Sequence, residues 1–188
     1  FRYLEYKVPA CLEQALAVRS LPMKKTDKAL IDYLTRDEMN ALLAAPDCTT
    51  VAGLRDRAML HLTYAAGLRV SELLALQMGD FSDRSLSTVR VLGKGRRERV
   101  LPLWKETQTV LRTWIAVRPS VQVQELFVNR EGRPLSRDGF AHRLAVHVAA
   151  AARKKPTLAE KRVTPHVLRH SCAMHTLEAT GDIRKVSL

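Results

Sequence analysis

Cysteine is scarce. Cys11, Cys48 and Cys172 are the three in 188 residues, and no two of them stand at a paired metal-ligand spacing. That scarcity excludes a disulfide framework or a zinc site as the organising device, and it suits a reducing cytoplasm, the expected location. Long apolar runs are lacking too. No segment approaches the roughly 20 residues needed to span a bilayer, and no secretory signal is legible at the start. The chain opens at Phe1 rather than at an initiator methionine, so the expectation is a piece of a longer protein. Acidic residues are the third shortage: 19 Asp and Glu face 31 Lys and Arg, a net charge of +12. An excess of that size points to a polyanion partner.

What is present is enough for one packed domain with a short appendage, since 46% of the residues are hydrophobic. The positive charge is unevenly placed. Arg84 to Arg112 holds eight basic and two acidic residues, and Arg130 to Arg169 holds ten and three. Residues 31 to 83 reverse the balance, with four basic and eight acidic. Two basic blocks flanking a neutral stretch describe a binding face, whereas a surface made only for solubility mixes its signs. Neither block carries the continuous apolar face that would anchor it to lipid, so nucleic acid is the expected partner and a membrane is not.

Coarse periodicity gives the organisation. Residues 1–20 read as the tail of a helix, and the polar, proline-broken stretch from Ser20 to Lys28 reads as a linker. The expected division is therefore 1–30, the end of an N-terminal domain plus linker, and 31–188, a larger domain incomplete at its C-terminus. Thr35 with Glu38 three positions on forms a capping box that opens a helix running through Ala45. A second helix spans about Leu54 to Ala66 and stops at Gly67, and a short one follows from Ser71 to Gln77. Between Leu86 and Leu103 the period becomes two, with a turn at Gly93-Lys94-Gly95-Arg96, which predicts a β-hairpin with a basic tip. Helices are expected at 105–117, from Ser136 to about Arg153, and from the Thr164-Pro165 cap to about Ala179. Leu126-Phe127-Val128 suggests a short strand, and Asp182 a cap for one further helix. The fold class is mostly α with a small antiparallel β-hairpin.

Three places could carry chemistry. His166 and Arg169 share one face of the first turns of a capped helix, with His170 four residues from His166. Free backbone amides and the positive dipole end there favour an anion. Arg69 sits at the junction of two apolar helices with Glu72 three residues on. Lys94 occupies the hairpin tip between two glycines, near Arg90, Arg96, Arg97 and Arg99, an arrangement that can track phosphates. Each also has an ordinary reading: a polar helix start, an ion-paired arginine and a solvated turn.

Taken in order, Ala66-Gly67-Leu68-Arg69-Val70-Ser71-Glu72-Leu73, Leu92-Gly93-Lys94-Gly95 and His166-Val167-Leu168-Arg169-His170 resemble the successive motif boxes of the tyrosine recombinase (phage integrase) family. The resemblance covers about residues 31 to 188. It implies a tyrosine-recombinase catalytic core that breaks and rejoins double-stranded DNA without metal, nucleotide or other cofactor, and a full-length protein that assembles as a tetramer on recombination sites. It implies that Arg69 and Arg169 grip the phosphate oxygens, that His166 assists, that Lys94 protonates the departing 5′ oxygen, and that a tyrosine attacks to leave a 3′-phosphotyrosyl link. Glu72 would support Arg69, and His170 would support the same box. Arg90, Arg96, Arg97, Arg99, Arg137, Arg143, Lys154 and Lys155 are the expected DNA contacts. The family pattern places its tyrosine after the last box, yet Tyr3, Tyr6, Tyr33 and Tyr64 all precede Arg69. The expectation is a chain that cannot cleave DNA by itself. Two other readings share these residues, a DNA-binding module without catalysis and a type IB topoisomerase.

Overall fold

In the computed structural model, the described residues are 7–20, 33–81, 85–93 and 97–182. The linker, the hairpin tip at 94–96 and whatever Asp182 caps lie outside them. Contacts divide the chain into two units, Phe1–Leu30 and Ile31–Leu188. In the smaller unit a 3-10 turn at Pro9–Cys11 leads into α1, Leu12–Ser20.

The larger unit opens on the capping box expected at Thr35. Thr35 accepts the Glu38 amide (3.2 Å) while Glu38 Oε2 accepts the Thr35 amide (2.8 Å), and this reciprocal cap opens α2, Arg36–Leu43. The next helix, α3, Val51–Ala65, starts one turn earlier than its apolar period suggested. Its cap is Thr50, whose hydroxyl accepts the Gly53 amide at 3.0 Å. Gly67, at φ 56°, turns the chain in the left-handed conformation that costs glycine least, and α4, Val70–Ala75, follows. This helix ends before Gln77, because Leu76 is already extended and its carbonyl accepts the Leu126 amide at 2.7 Å.

Two antiparallel strands, β1 (Thr88–Leu92) and β2 (Glu98–Pro102), pair Val89 with Leu101 and Val91 with Arg99. Alternation puts Val89 and Val91 inward from β1, and Arg99 and Leu101 inward from β2. Beyond the hairpin lie α5 (Lys105–Val117), α6 (Arg137–Ala152, capped by Ser136) and α7 (Pro165–Thr180, capped by Thr164). The architecture is thus mostly helical with a small antiparallel sheet, as expected. None of these helices is long and apolar enough to cross a membrane.

The strand expected at Leu126-Phe127-Val128 does not form. Those residues are fully buried, but the segment makes one isolated bridge, Val128 with Pro134, beside another at Gln77 with Glu125. Their burial comes from helix packing: Trp114 of α5 stacks on Phe127 (centroids 6.4 Å apart) and donates to the Leu126 carbonyl at 3.2 Å. Three consecutive apolar residues signal burial, and here a helix rather than a second strand supplies it.

Two buried titratable groups give the fold an acid dependence. Burial alone would raise the Glu38 pKa. Bonds from Lys161 Nζ (2.8 Å), Thr157 Oγ1 (2.7 Å) and the Thr35 amide outweigh it and bring the value down to about 2. His61 is 3% exposed with Nε2 unpartnered among the described residues, and burial lowers its pKa to about 4; Glu106 pulls it up and Arg57 pushes it further down. Both folded values lie below the unfolded ones, so both groups add stability that is complete at neutral pH and is lost on acidification. The His61 contribution disappears as pH falls from 6.5 towards 4, and the Glu38 contribution from 4.5 towards 2. Each is worth about 3 kcal/mol. Thermal unfolding followed against pH should show both falls. His61→Leu should shrink the first fall and Glu38→Gln the second, the remainder coming from His175 in the first and from Asp56 and Glu72 in the second; unchanged curves would refute the assignment.

Candidate phosphate-binding site

Three separate elements meet at Glu72, which is 6% exposed. The first is the α3–α4 junction. Glu72 is the third residue of α4, so its side chain reaches back to the helix start, where Oε2 accepts the Arg69 amide (2.8 Å) and Oε1 accepts Arg69 Nη1 (2.8 Å). The Arg69 side chain is nevertheless 48% exposed, so part of its fork remains open to a ligand.

The second element is β2. Arg99 Nη2 donates to Glu72 Oε2 at 2.8 Å and Nη1 to Oε1 at 3.3 Å, a fork closed on one carboxylate. The third is the N-terminal half of α7. Thr164 accepts the Val167 amide at 3.3 Å, Pro165 takes the first helical position, and the turn carries His166 at the surface with Arg169 one turn further on. Arg169 Nη1 donates to the Gly67 carbonyl and lies 4.0 Å from Glu72 Oε2, its side chain 16% exposed. Arg69 and Arg169, a hundred positions apart in sequence, therefore share one anchor. An open cleft of about 370 Å³, lined by Arg69, Ser71, Glu72, Leu92 and Gly93, adjoins it.

The charges are mutually tuned. Burial pushes the Glu72 pKa up, but the bonds from Arg99 and Arg69 bring it below the usual carboxylate value. Burial, followed by the Arg69 charge, pushes the Arg169 guanidinium down, and Glu72 opposes them. Three guanidiniums thus stand around one carboxylate, and an arriving anion meets an excess of fixed positive charge.

The structure brings together Arg69, Glu72 and Arg169 from the sequence expectations, and adds Arg99 in a different part. Arg99, expected among the DNA contacts, closes its fork on Glu72. The alternation of β2 carried the signal, since Arg99 shares the inward parity of Leu101. His170 is half buried and faces Tyr33 edge-on, with centroids 6.3 Å apart. Lys94 and Arg96 lie outside the described residues. Arg97, Arg137 and Lys154 are exposed. Arg90 is 55% exposed and 3.5 Å from Asp80, and Lys155 pairs with Asp37 at 3.2 Å. Arg143 is turned inward, donating from Nε to the buried Asp56 at 2.6 Å. Sequence reasoning also missed a buried pair between α3 and α7, Tyr64 Oη and His175 Nδ1 at 2.7 Å.

Residues 32–187 match the phage integrase family. The tyrosine recombinase XerD of Staphylococcus aureus is 41% identical over 171 residues, which are 88% of this chain and 56% of that protein. The chain therefore spans just over half the length of such relatives. Among solved structures, the XerA recombinase superposes with a TM-score of 0.70 at 26% identity, covering 98% of this chain and 63% of that one. The XerH site-specific recombinase, captured with its difH substrate in a post-cleavage complex, has the same fold (TM-score 0.73, 22% identity, 87% of this chain and 47% of that one). With nearly the whole of the larger unit inside the match, this chain belongs to the phage integrase family.

Proposed function

We propose that this chain supplies most of the catalytic domain of a site-specific DNA recombinase that breaks and rejoins DNA through a 3′-phosphotyrosyl intermediate without a metal. The observation that carries the reading is the convergence of Arg69 and Arg169 on Glu72 beside an open cleft, with His166 exposed on the helix that carries Arg169. Residues 1–30 are, on this reading, the end of an N-terminal core-binding domain plus a linker.

Transesterification at phosphorus has two demands. Negative charge grows on the non-bridging oxygens as the pentavalent state forms, and an alkoxide must leave. Arg69 and Arg169 meet the first demand, because planar multi-donor cations held in place need no reorganisation as that charge develops. His166, exposed one turn from Arg169, reaches the same phosphate and donates to it or handles the nucleophile's proton. Lys94 meets the second by giving a proton to the 5′ oxygen as the P–O5′ bond breaks. The tyrosine oxygen forms the new bond to phosphorus, so one phosphodiester replaces another and the reverse attack by a 5′ hydroxyl restores the strand.

The nucleophile is not among the tyrosines of this chain. Tyr64 is buried and its hydroxyl is bonded to His175, and the Tyr33 hydroxyl donates to Glu178 at 3.2 Å. Tyr3 and Tyr6, like these two, precede the arginine pair. The 188 residues alone therefore bind DNA without cutting it. The partner is double-stranded DNA in the cytoplasm, and the complete protein works as a tetramer on its site.

The test is a trapped-cleavage assay with the complete gene product on a nicked duplex carrying its site. A covalent protein–DNA adduct is expected from that product and none from the 188-residue chain. An adduct from the short chain would refute the nucleophile assignment. Binding without any adduct from the complete product would favour the non-catalytic module instead.

A further inference from the structure

The chemistry above uses Arg69, Arg169, His166 and Lys94 and leaves Arg99 without a part, although it is bound as closely to the site as any of them. An arginine that tracks DNA phosphate keeps its fork free for the ligand. Arg99 does not: its side chain is 22% exposed and both η nitrogens close on the two oxygens of Glu72. Two parallel bonds between planar groups fix the plane of the carboxylate, which a single bond leaves free to rotate. The same two oxygens receive the Arg69 amide and Arg69 Nη1. The direction of the Arg69 fork is therefore set through Glu72.

The contact also ties the hairpin to the arginine pair. Gly93 donates to the Arg97 carbonyl at 2.8 Å, and a Cβ placed on it would lie 3.1 Å from Arg99 Nη1 and 3.8 Å from Glu72 Oε1. The backbone just before Lys94 thus runs against the Arg99–Glu72 pair, and glycine permits that approach. From this geometry we propose that Arg99 is a positioning residue. It clamps Glu72, and through that clamp it aims Arg69 and seats the hairpin strand against the site, without touching DNA phosphate itself. The proposal rests on the recombinase reading for its consequence in catalysis, but the clamp can be tested without it.

In the complete gene product on a nicked duplex carrying its site, Arg99→Ala should slow adduct formation by about 100-fold, the usual consequence of a misaligned group. DNA affinity should hardly change. Arg99→Lys should rescue little, since an ammonium cannot close a fork on a carboxylate. In a Glu72→Gln background, Arg99→Ala should cost nothing further. A full loss in that background, or rescue by lysine, would show that Arg99 works as a direct phosphate contact and would overturn the proposal. If the unaltered product forms no adduct, the recombinase reading has failed, and the clamp is judged by hydrogen exchange in the 188-residue chain. There, Arg99→Ala, Glu72→Gln and the double variant should speed exchange of the Gly93 amide and the β1–β2 ladder by one common factor. Losses that multiply would reject the clamp.

Discussion

Arg169→Ala is expected to reduce covalent adduct formation by the complete gene product about 10³-fold. The size follows from where the guanidinium sits. It is mostly buried, bonded to the Gly67 carbonyl and 4.0 Å from Glu72, so it meets a phosphate already oriented and little screened by water. Arg69→Ala should give a loss of similar order by a different route. Its half-exposed side chain contributes little to packing, so melting temperature should barely move while cleavage collapses. Arg169→Ala should also lower the melting temperature, because the Gly67 carbonyl loses a donor at the turn that carries Arg69. The pair of variants separates chemistry from scaffold. If either retained a tenth of the unaltered rate, the phosphate-gripping role would be untenable for that residue.

The second large effect lies away from the site. Asp56 is 1% exposed and takes Arg55 Nε and Nη2 at 3.0 and 2.8 Å on one oxygen, and Arg143 Nε and His147 Nε2 at 2.6 and 2.8 Å on the other. Burial would raise its pKa, yet the His147 bond and the arginine charges hold it below the ordinary value. Arg55 also donates to the Val128 carbonyl at 3.0 Å, so one carboxylate joins α3, α6 and the buried segment before α6. Removing the acid strands cations in the interior, which costs about 3–5 kcal/mol. In a domain of this size that is a drop of roughly 10 °C in melting temperature. Asp56→Ala and Asp56→Asn should both show it, and Arg143→Ala should cost less because that side chain is 31% exposed. A shift below a third of that size in Asp56→Ala would mean the cluster is electrostatically neutral to folding.

The caps were legible because they are local. Thr35 with Glu38, Ser136, and Thr164 with Pro165 each announce a helix within four residues of chain, and each helix starts there. Thr50 went unread because the polar run Asp47-Cys48-Thr49-Thr50 offers several caps, and the apolar period alone pointed to Leu54. The site was half legible for the same reason. Arg69 and Glu72 lie one turn apart, so their pairing is written in their spacing. The partners that complete it are remote: Arg99 reaches Glu72 across 27 residues and Arg143 reaches Asp56 across 87. No local pattern says which of many arginines will find a buried acid. The basic blocks told where positive charge accumulates, and only the fold sorts the cations that hold the protein together from those left facing outward.

The crowd of guanidiniums at Glu72 has a consequence for the protein without DNA. Folding gathers Arg69, Arg99 and Arg169 around a single negative charge; burial first, and the neighbouring guanidinium charges after it, lower the Arg169 pKa. Three guanidiniums against one carboxylate leave an excess of positive charge at the site. On the proposed reading a DNA phosphate offsets part of that excess, so added DNA should raise the melting temperature of the domain. Ligand and scaffold would then share one electrostatic term, the bound anion acting as a partial counter-ion for the cations the fold has crowded together.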